Sequence, residues 1–306
     1  MKPLIIDIKG NSLDDGPGIR SVVFFKGCPL DCFWYHNPES KSVQNELWWE
    51  KSKCIGCKSC EKACPHGAIS PDASPFVTKD LCDLCYTCVE ECPAKALDHV
   101  GKEMDIETIV KKVLRYKPFF DTSGGGVTAS GGEPTMHMKF VSQLFKRFND
   151  EGIHTLLETC GLFDIASFET MLLPHTDSIY FDLKCIDSEK HKKYCGAYNK
   201  GILNNFITLK KKSQSEEFSL LPRTPIIPGI TDTEDALLAL ADFYEKHSVH
   251  KAAILLNNPI WIEKFEKLGK ESTIGAKNPI RKFYDKEKAE EIKHVFSKRG
   301  IKIIIG

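Results

Sequence analysis

The chain has 306 residues, 42% of them hydrophobic, and its 42 Lys and Arg balance 42 Asp and Glu. That is enough for one large core with a small insert, and the zero net charge offers no basic face to nucleic acid or an anionic membrane. No apolar run reaches the roughly 20 residues of a membrane helix and the apolar start, Leu4-Ile5-Ile6, is too short for a secretion signal, so a cytoplasmic protein without nucleic-acid or membrane partners is expected.

Residues 3–9 and 20–26 read as strands flanking a Gly16-Pro17-Gly18 turn. Next comes Gly27-Cys28-Pro29-Leu30-Asp31-Cys32-Phe33-Trp34-Tyr35-His36-Asn37-Pro38-Glu39, a loop with the form C-x3-C-x2-C except that Tyr35 stands at the third cysteine position. Residues 48–100 change texture and repeat one pattern about 28 residues apart: Cys54-x2-Cys57-x2-Cys60-x3-Cys64-Pro and Cys82-x2-Cys85-x2-Cys88-x3-Cys92-Pro. Thereafter helix and strand alternate. Helices are predicted at 106–116, 139–151, 165–173, 201–213, 234–247 and 286–299, and strands at 126–130, 154–158, 178–183, 218–227, 251–256 and 301–305. This alternation predicts an α/β fold with a parallel barrel or partial barrel, formed by residues 1–47 and 101–306 around an insert at 48–100. Barrel chemistry gathers at the C-terminal ends of strands. Gly131-Gly132-Glu133, Glu158-Thr159 and Asp182-Leu183-Lys184 all fall there.

Ten of the 13 cysteines crowd between Cys28 and Cys92 in a long chain with no visible export signal, so metal thiolates are favoured over disulfides. The triple x2 spacing ending in Cys-Pro is that of two-cluster ferredoxins, in which the fourth cysteine of each run serves the other cluster. One [4Fe–4S] cluster would then use Cys54, Cys57, Cys60 and Cys92, and the other Cys82, Cys85, Cys88 and Cys64. Structural zinc would be satisfied by Cys-x2-Cys alone and does not need this spacing. Cys160, Cys185 and Cys195 are expected to be buried, inert thiols.

A three-cysteine loop leaves one iron of a cluster open, and here the chain resembles the radical S-adenosylmethionine (SAM) superfamily. Asp15-Gly16-Pro17-Gly18-Ile19-Arg20, Phe25-Lys26-Gly27-Cys28, Asn37-Pro38-Glu39, Ser130-Gly131-Gly132-Glu133-Pro134, Glu158-Thr159-Cys160-Gly161, Asp182-Leu183-Lys184 and Arg223 to Gly229 resemble the glycyl-radical enzyme activating proteins, larger members of which carry such an insert. The resemblance implies a partial (β/α)6 barrel, a SAM-binding cluster on Cys28 and Cys32, and anaerobic abstraction of a hydrogen atom from a glycine of a partner enzyme by a 5′-deoxyadenosyl radical. It further implies that Gly131, Gly132 and Glu133 meet the methionine amino group. Trp34, Tyr35 and His36 would lie against the nucleoside, Lys184 would meet the SAM carboxylate, and Arg223 would make a further carboxylate or ribose contact. Asn258 would contact the adenosyl group, although the Asn257-Asn258 stretch is one residue shorter than the family pattern. Glu158, Thr159 and Asp182, with Leu183 between Asp182 and Lys184, resemble a group that can hold a monovalent cation. Flavodoxin or ferredoxin would donate electrons. A radical SAM enzyme acting on a small molecule, and a non-catalytic electron-transfer or scaffold relative, are the rival readings.

A tyrosine phenol has a pKa of about 10 and is a harder, longer ligand than thiolate. Tyr35 therefore marks an altered active enzyme, an unusual cluster ligated by Tyr35 or His36, or a degenerate relative. In each case the loop assembles the SAM-binding cluster poorly. Tyr35→Cys is expected to raise iron content and 5′-deoxyadenosine formation after anaerobic reconstitution; a parent chain already carrying about twelve irons, with vigorous SAM cleavage, would refute this.

Overall fold

The computed structural model describes residues 2–272 and 274–306. Its main sheet has nine strands in the order β11-β10-β9-β8-β7-β6-β2-β1-β5. These are β1 (Leu4–Ser12), β2 (Arg20–Phe25), β5 (Lys102–Glu103), β6 (Gly126–Gly131), β7 (His154–Thr159), β8 (Ser178–Asp182), β9 (Ser219–Ile226), β10 (Lys251–Leu256) and β11 (Lys302–Ile305). From β2 to β11 every neighbouring pair is parallel, whereas β1 pairs antiparallel with both β2 and β5. Because β5 and β11 are opposite edges, the sheet is an open, partial barrel. The parallel strands are buried on both faces, as Val22, Val23 and Phe25 of β2 and Leu156 and Leu157 of β7 show.

Helix Met138–Asp150 buries Val141, Leu144, Phe145 and Phe148, a spacing that places one apolar stripe on the sheet. The predicted helix at 106–116 is α-helical only to Val113 and tightens into a 3-10 turn before a second helix, Lys117–Ser123, with Pro118 in its first turn. Helix Ser188–Cys195 was not anticipated; Asp187 caps it, its side chain accepting from the Lys190 amide.

Arg20 closes the N-terminal ends of the strands. It is fully buried with no carboxylate partner among the described residues, and it donates to Thr128 Oγ1 at 2.7 Å and to the carbonyls of Val127, His154 and Pro17 at 2.6, 3.2 and 3.2 Å. Burial lowers its pKa to about 10, which still leaves it charged at neutral pH. The turn at 13–19 is held beneath the sheet by this clamp and by Thr128 Oγ1 donating to the Asp15 carbonyl.

The segment between β2 and β6 forms a separate two-stranded ribbon, β3 (Glu46–Trp49) antiparallel to β4 (Leu97–Val100), which closes the ends of the cysteine-rich region. The sequence repeat is also a backbone repeat. Short helices Ser59–Ala63 and Thr87–Glu90 occupy equivalent positions, each preceded by a left-handed residue, Lys58 or Tyr86. Gly56 and Leu84 are likewise left-handed, at φ 69° and 60°. The Ala68 and Ala96 amides each donate to a thiol four residues back, Cys64 and Cys92, at 3.2 Å. Trp49 packs on Phe76 with ring centroids 5.0 Å apart, giving this unit its own small core with Leu47, Ile69 and Leu97.

A buried charge cluster ties ribbon to barrel. Lys26, at the end of β2, donates to Glu46 of β3 at 2.7 Å and to the Glu39 carbonyl at 2.6 Å, and Lys270 pairs with the other Glu46 oxygen. Burial raises the Glu46 pKa, but the hydrogen bonds from Lys26 and Lys270 outweigh it and hold it below its ordinary 4.5. Its stabilising contribution is therefore complete above pH 4.5 and lost as pH falls through the lowered value. Glu46→Gln should cost about 3–5 kcal/mol at pH 7, because Lys26 remains buried without its charge partner. In urea denaturation the gap should close as acid neutralises Glu46 in the parent; a gap independent of pH would refute the pairing.

Candidate active site

A cavity of about 430 Å³ opens where the parallel strands end. The loop after β2 contributes Cys28, Cys32, Trp34, Tyr35 and His36, β6 and its turn Ser130, Gly131 and Gly132, and β7 Glu158, Thr159 and Cys160. Asp182, Lys184, Arg223 and Asn258 complete the part foreseen from sequence.

A row of charges crosses one wall. The Arg223 guanidinium donates to Asp182 Oδ1 at 2.9 Å and to Glu158 Oε1 at 2.6 Å, and lies 5.0 Å from the Tyr180 ring centroid. Lys184 Nζ donates to the other Asp182 oxygen at 3.3 Å, and Ser130 Oγ to the other Glu158 oxygen at 2.6 Å. Burial opposes charge throughout, yet Arg223 and Lys184 hold Asp182 below its usual range, while Asp182 and Glu158 hold Arg223 above its own. Lys184 is raised likewise, by Asp182 and the nearby cysteines against the effect of burial. Both cations stay charged on the cavity wall.

Three sequence expectations change here. Glu133 does not face the cavity. It is fully buried, and its carboxylate accepts from Thr135 N and Oγ1 at 3.1 and 2.7 Å, Thr159 Oγ1 at 2.9 Å and Cys160 N at 2.7 Å. With four donors satisfied, it braces the strand ends instead of meeting an ammonium. Leu183 turns into the main core, 1% exposed, because alternation along the strand end sends Asp182 and Lys184 to the cavity side. Glu158, Thr159 and Asp182 do not form an open oxygen cradle: Arg223 spans the two carboxylates and the Thr159 hydroxyl is turned to Glu133.

The glycines act through close approach. A Cβ on Gly132 would lie 2.0 Å from the Gly27 carbonyl oxygen, and one on Gly131, at φ +102°, 2.5 Å from that of Phe25. Their absence lets the Gly132 and Glu133 amides donate to Phe25 and Gly27 at 2.8 Å, fastening the cysteine loop to β6.

Trp34 is buried against Tyr194, with centroids 6.3 Å apart. His36 stacks obliquely on Trp261 at 6.3 Å, and its Nε2 is buried with no partner among the described residues. Burial, reinforced by Lys184 and Lys264, lowers its pKa to about 4, so it is neutral at physiological pH. Asn258 sits at the exposed rim, its Oδ1 accepting from Ile260 N at 3.1 Å, while the adjacent Asn257 is buried and holds the carbonyls of Ile280 and Lys282.

The Tyr35 hydroxyl accepts from Ser40 Oγ at 3.4 Å and sits beside the Cys28 thiol. Burial first, then Cys28, pushes its pKa well above the ordinary phenol value, so Tyr35 supplies no anionic ligand. The loop thus offers two thiols for a centre that takes three. Cys160, expected to be inert, contacts Cys28 and lines the cavity; Cys195 contacts Cys32 from behind it. The signal for Cys160 lay within the Glu158-Thr159-Cys160-Gly161 block. In the cysteine-rich unit, Cys60 lies near Cys54 and Cys92, and Cys88 near Cys82, Cys64, Cys60 and Cys85. Cys57 and Cys85 are at the surface.

Family comparisons agree with this geometry. The Radical SAM superfamily model matches residues 78–241, and a 4Fe-4S binding domain matches residues 47–70. The isethionate sulfite-lyase activating enzyme of Desulfovibrio desulfuricans is 37% identical over 89% of this chain and 88% of its own. The chain belongs to the radical SAM activating enzymes of glycyl-radical enzymes. The 4-hydroxyphenylacetate decarboxylase activating enzyme of Clostridium scatologenes is 35% identical, covering 100% of this activating enzyme and 97% of its own chain. A radical SAM methyltransferase from Sphaerobacter thermophilus shares the fold at TM-score 0.52 and 12% identity, over 100% of this chain and 77% of that one. SAM and [4Fe–4S] clusters are the cofactors of this activating enzyme. Its cavity fits SAM, with two cations, a partnerless ring nitrogen and glycine backbone at the wall; its cysteine loop fits the cluster only in part. Neither matched segment includes Cys28 to Tyr35.

Arg223→Met should leave Glu158 with only Ser130 and Asp182 with only Lys184, two largely buried carboxylates, and destabilise the chain by about 3–5 kcal/mol in denaturant titration. A loss below about 1 kcal/mol would mean that water compensates Glu158 and Asp182.

Proposed function

We propose that this activating enzyme installs its glycyl radical from the cavity at the strand ends, with residues 1–47 and 101–306 as the catalytic barrel and 48–100 as a two-cluster unit delivering electrons to it. The observation that carries this reading is the convergence of Cys28, Cys32, Gly131, Gly132, Lys184 and Arg223 on one cavity. In this reading Lys184 and Arg223 receive the SAM carboxylate. The backbone of Gly131 and Gly132, which lines the cavity, takes the amino group, and Trp34, Tyr35, His36 and Asn258 enclose the nucleoside. Cys28 and Cys32 hold the cluster. When bound, cluster and SAM supply one-electron sulfonium cleavage and a radical able to take a hydrogen atom from glycine.

In the insert, Cys54, Cys57, Cys60 and Cys92 hold one cluster and Cys82, Cys85, Cys88 and Cys64 the other, with reduced flavodoxin or ferredoxin as the donor in a cytoplasmic setting. No helix among the described residues is long and apolar enough to cross a membrane. The relatives' partners include a sulfite-lyase and a decarboxylase; here the partner is taken to be a glycyl-radical enzyme encoded beside this chain.

Anaerobic incubation with that enzyme, SAM and reduced flavodoxin should produce a glycyl-radical EPR doublet together with 5′-deoxyadenosine. Two reducible insert clusters without SAM cleavage, in both the parent and Tyr35→Cys, would instead support an electron-transfer scaffold.

A further inference from the structure

Tyr35 leaves the cysteine loop one thiolate short, and the fold brings another cysteine to the same place. Cys160 follows β7 directly; its amide is pinned to Glu133 Oε2 at 2.7 Å, and its thiol meets that of Cys28. Cys28, Cys32 and Cys160 all line the same cavity. The Tyr35 hydroxyl lies beside the same Cys28 thiol. Cys195 is fully buried, does not line the cavity, and touches Cys32 from the core side.

We propose that Cys160 supplies the third thiolate of the SAM-side iron–sulfur centre in this chain, joining Cys28 and Cys32. The inference rests on reading the cavity as the SAM site. Three thiolates leave one iron open, as SAM binding requires, and their softness suits iron–sulfur clusters. Each iron–sulfur bond forms with loss of one thiol proton to solvent and no change in oxidation state. The thiols now stand in contact pairs, and no three ligand side chains among the described residues yet stand at metal-holding distances.

The test is anaerobic reconstitution of the full chain, with iron and sulfide counting and the change in the reduced-cluster EPR signal on adding SAM. The parent should hold iron beyond that of the two insert clusters, which would overturn the expectation, drawn from the Tyr35 loop alone, that this cluster assembles poorly. Cys160→Ser and Cys160→Ala should each lose up to about four irons per chain along with the SAM-induced EPR change. Cys195→Ser should lose neither, and Cys160→Ser placed in a Tyr35→Cys background should also lose neither, because the loop then has its own third thiolate. Unchanged absorption of the insert clusters in every variant shows that folding is intact. Retention of the extra iron in Cys160→Ser overturns the proposal, as does a parent with insert iron alone. A Tyr35→Cys variant that binds the extra iron but ignores SAM overturns the activase reading instead, while the iron count still decides the role of Cys160.

Discussion

The buried carboxylate of Glu133 holds the catalytic rim together. Its oxygens take donors from its own turn and from the end of β7, and its amide reaches back to the Gly27 carbonyl at the root of the cysteine loop. Three neighbouring strand ends are thereby locked in one arrangement, at a site where an unsatisfied carboxylate would cost several kcal/mol. That lock is possible because Gly131 and Gly132 carry no side chain; a Cβ on Gly132 would occupy the space of the Gly27 carbonyl. Cys28, Cys160 and the glycine backbone share a cavity because these short backbone bonds leave them little freedom.

Across the cavity, the charge row from Ser130 through Glu158, Arg223 and Asp182 to Lys184 does a different task. Its members are largely buried, so its value for stability depends on complete pairing. For function, it sets two cations, Arg223 and Lys184, on the cavity wall within a row whose formal charges balance. The same row explains why the family-like cation cradle is closed here: the guanidinium already spans both carboxylates. Toward the insert, the Lys26–Glu46–Lys270 cluster joins the end of β2 to β3, so the cysteine loop and the ribbon under the eight insert cysteines share one buried anchor.

Much of the fold was legible in the chain. Every parallel strand was placed to within a residue or two, because apolar runs bounded by Gly, Pro and charged residues leave few alternatives. The insert repeat was legible because cysteine spacing is a discrete signal, and the left-handed residues at equivalent positions in both halves show that its geometry repeats too. What escaped notice was local or non-local in ways a pattern does not report. The two-stranded β3–β4 ribbon pairs segments about 50 residues apart. The helix at 188–195 is short and mostly polar.

At the site, sequence determined which residue types stand at which strand ends, and that Tyr35 removes a thiolate; both are properties of spacing and side-chain chemistry. Tertiary structure decided where the side chains point. It withdrew Glu133 and Leu183 from the cavity, because internal donors and core packing claimed them, and gave Arg223 the two carboxylates that had looked free for a cation. It also brought Cys160 against Cys28, a contact between residues more than a hundred positions apart that is set by the parallel strand order and not by any local motif.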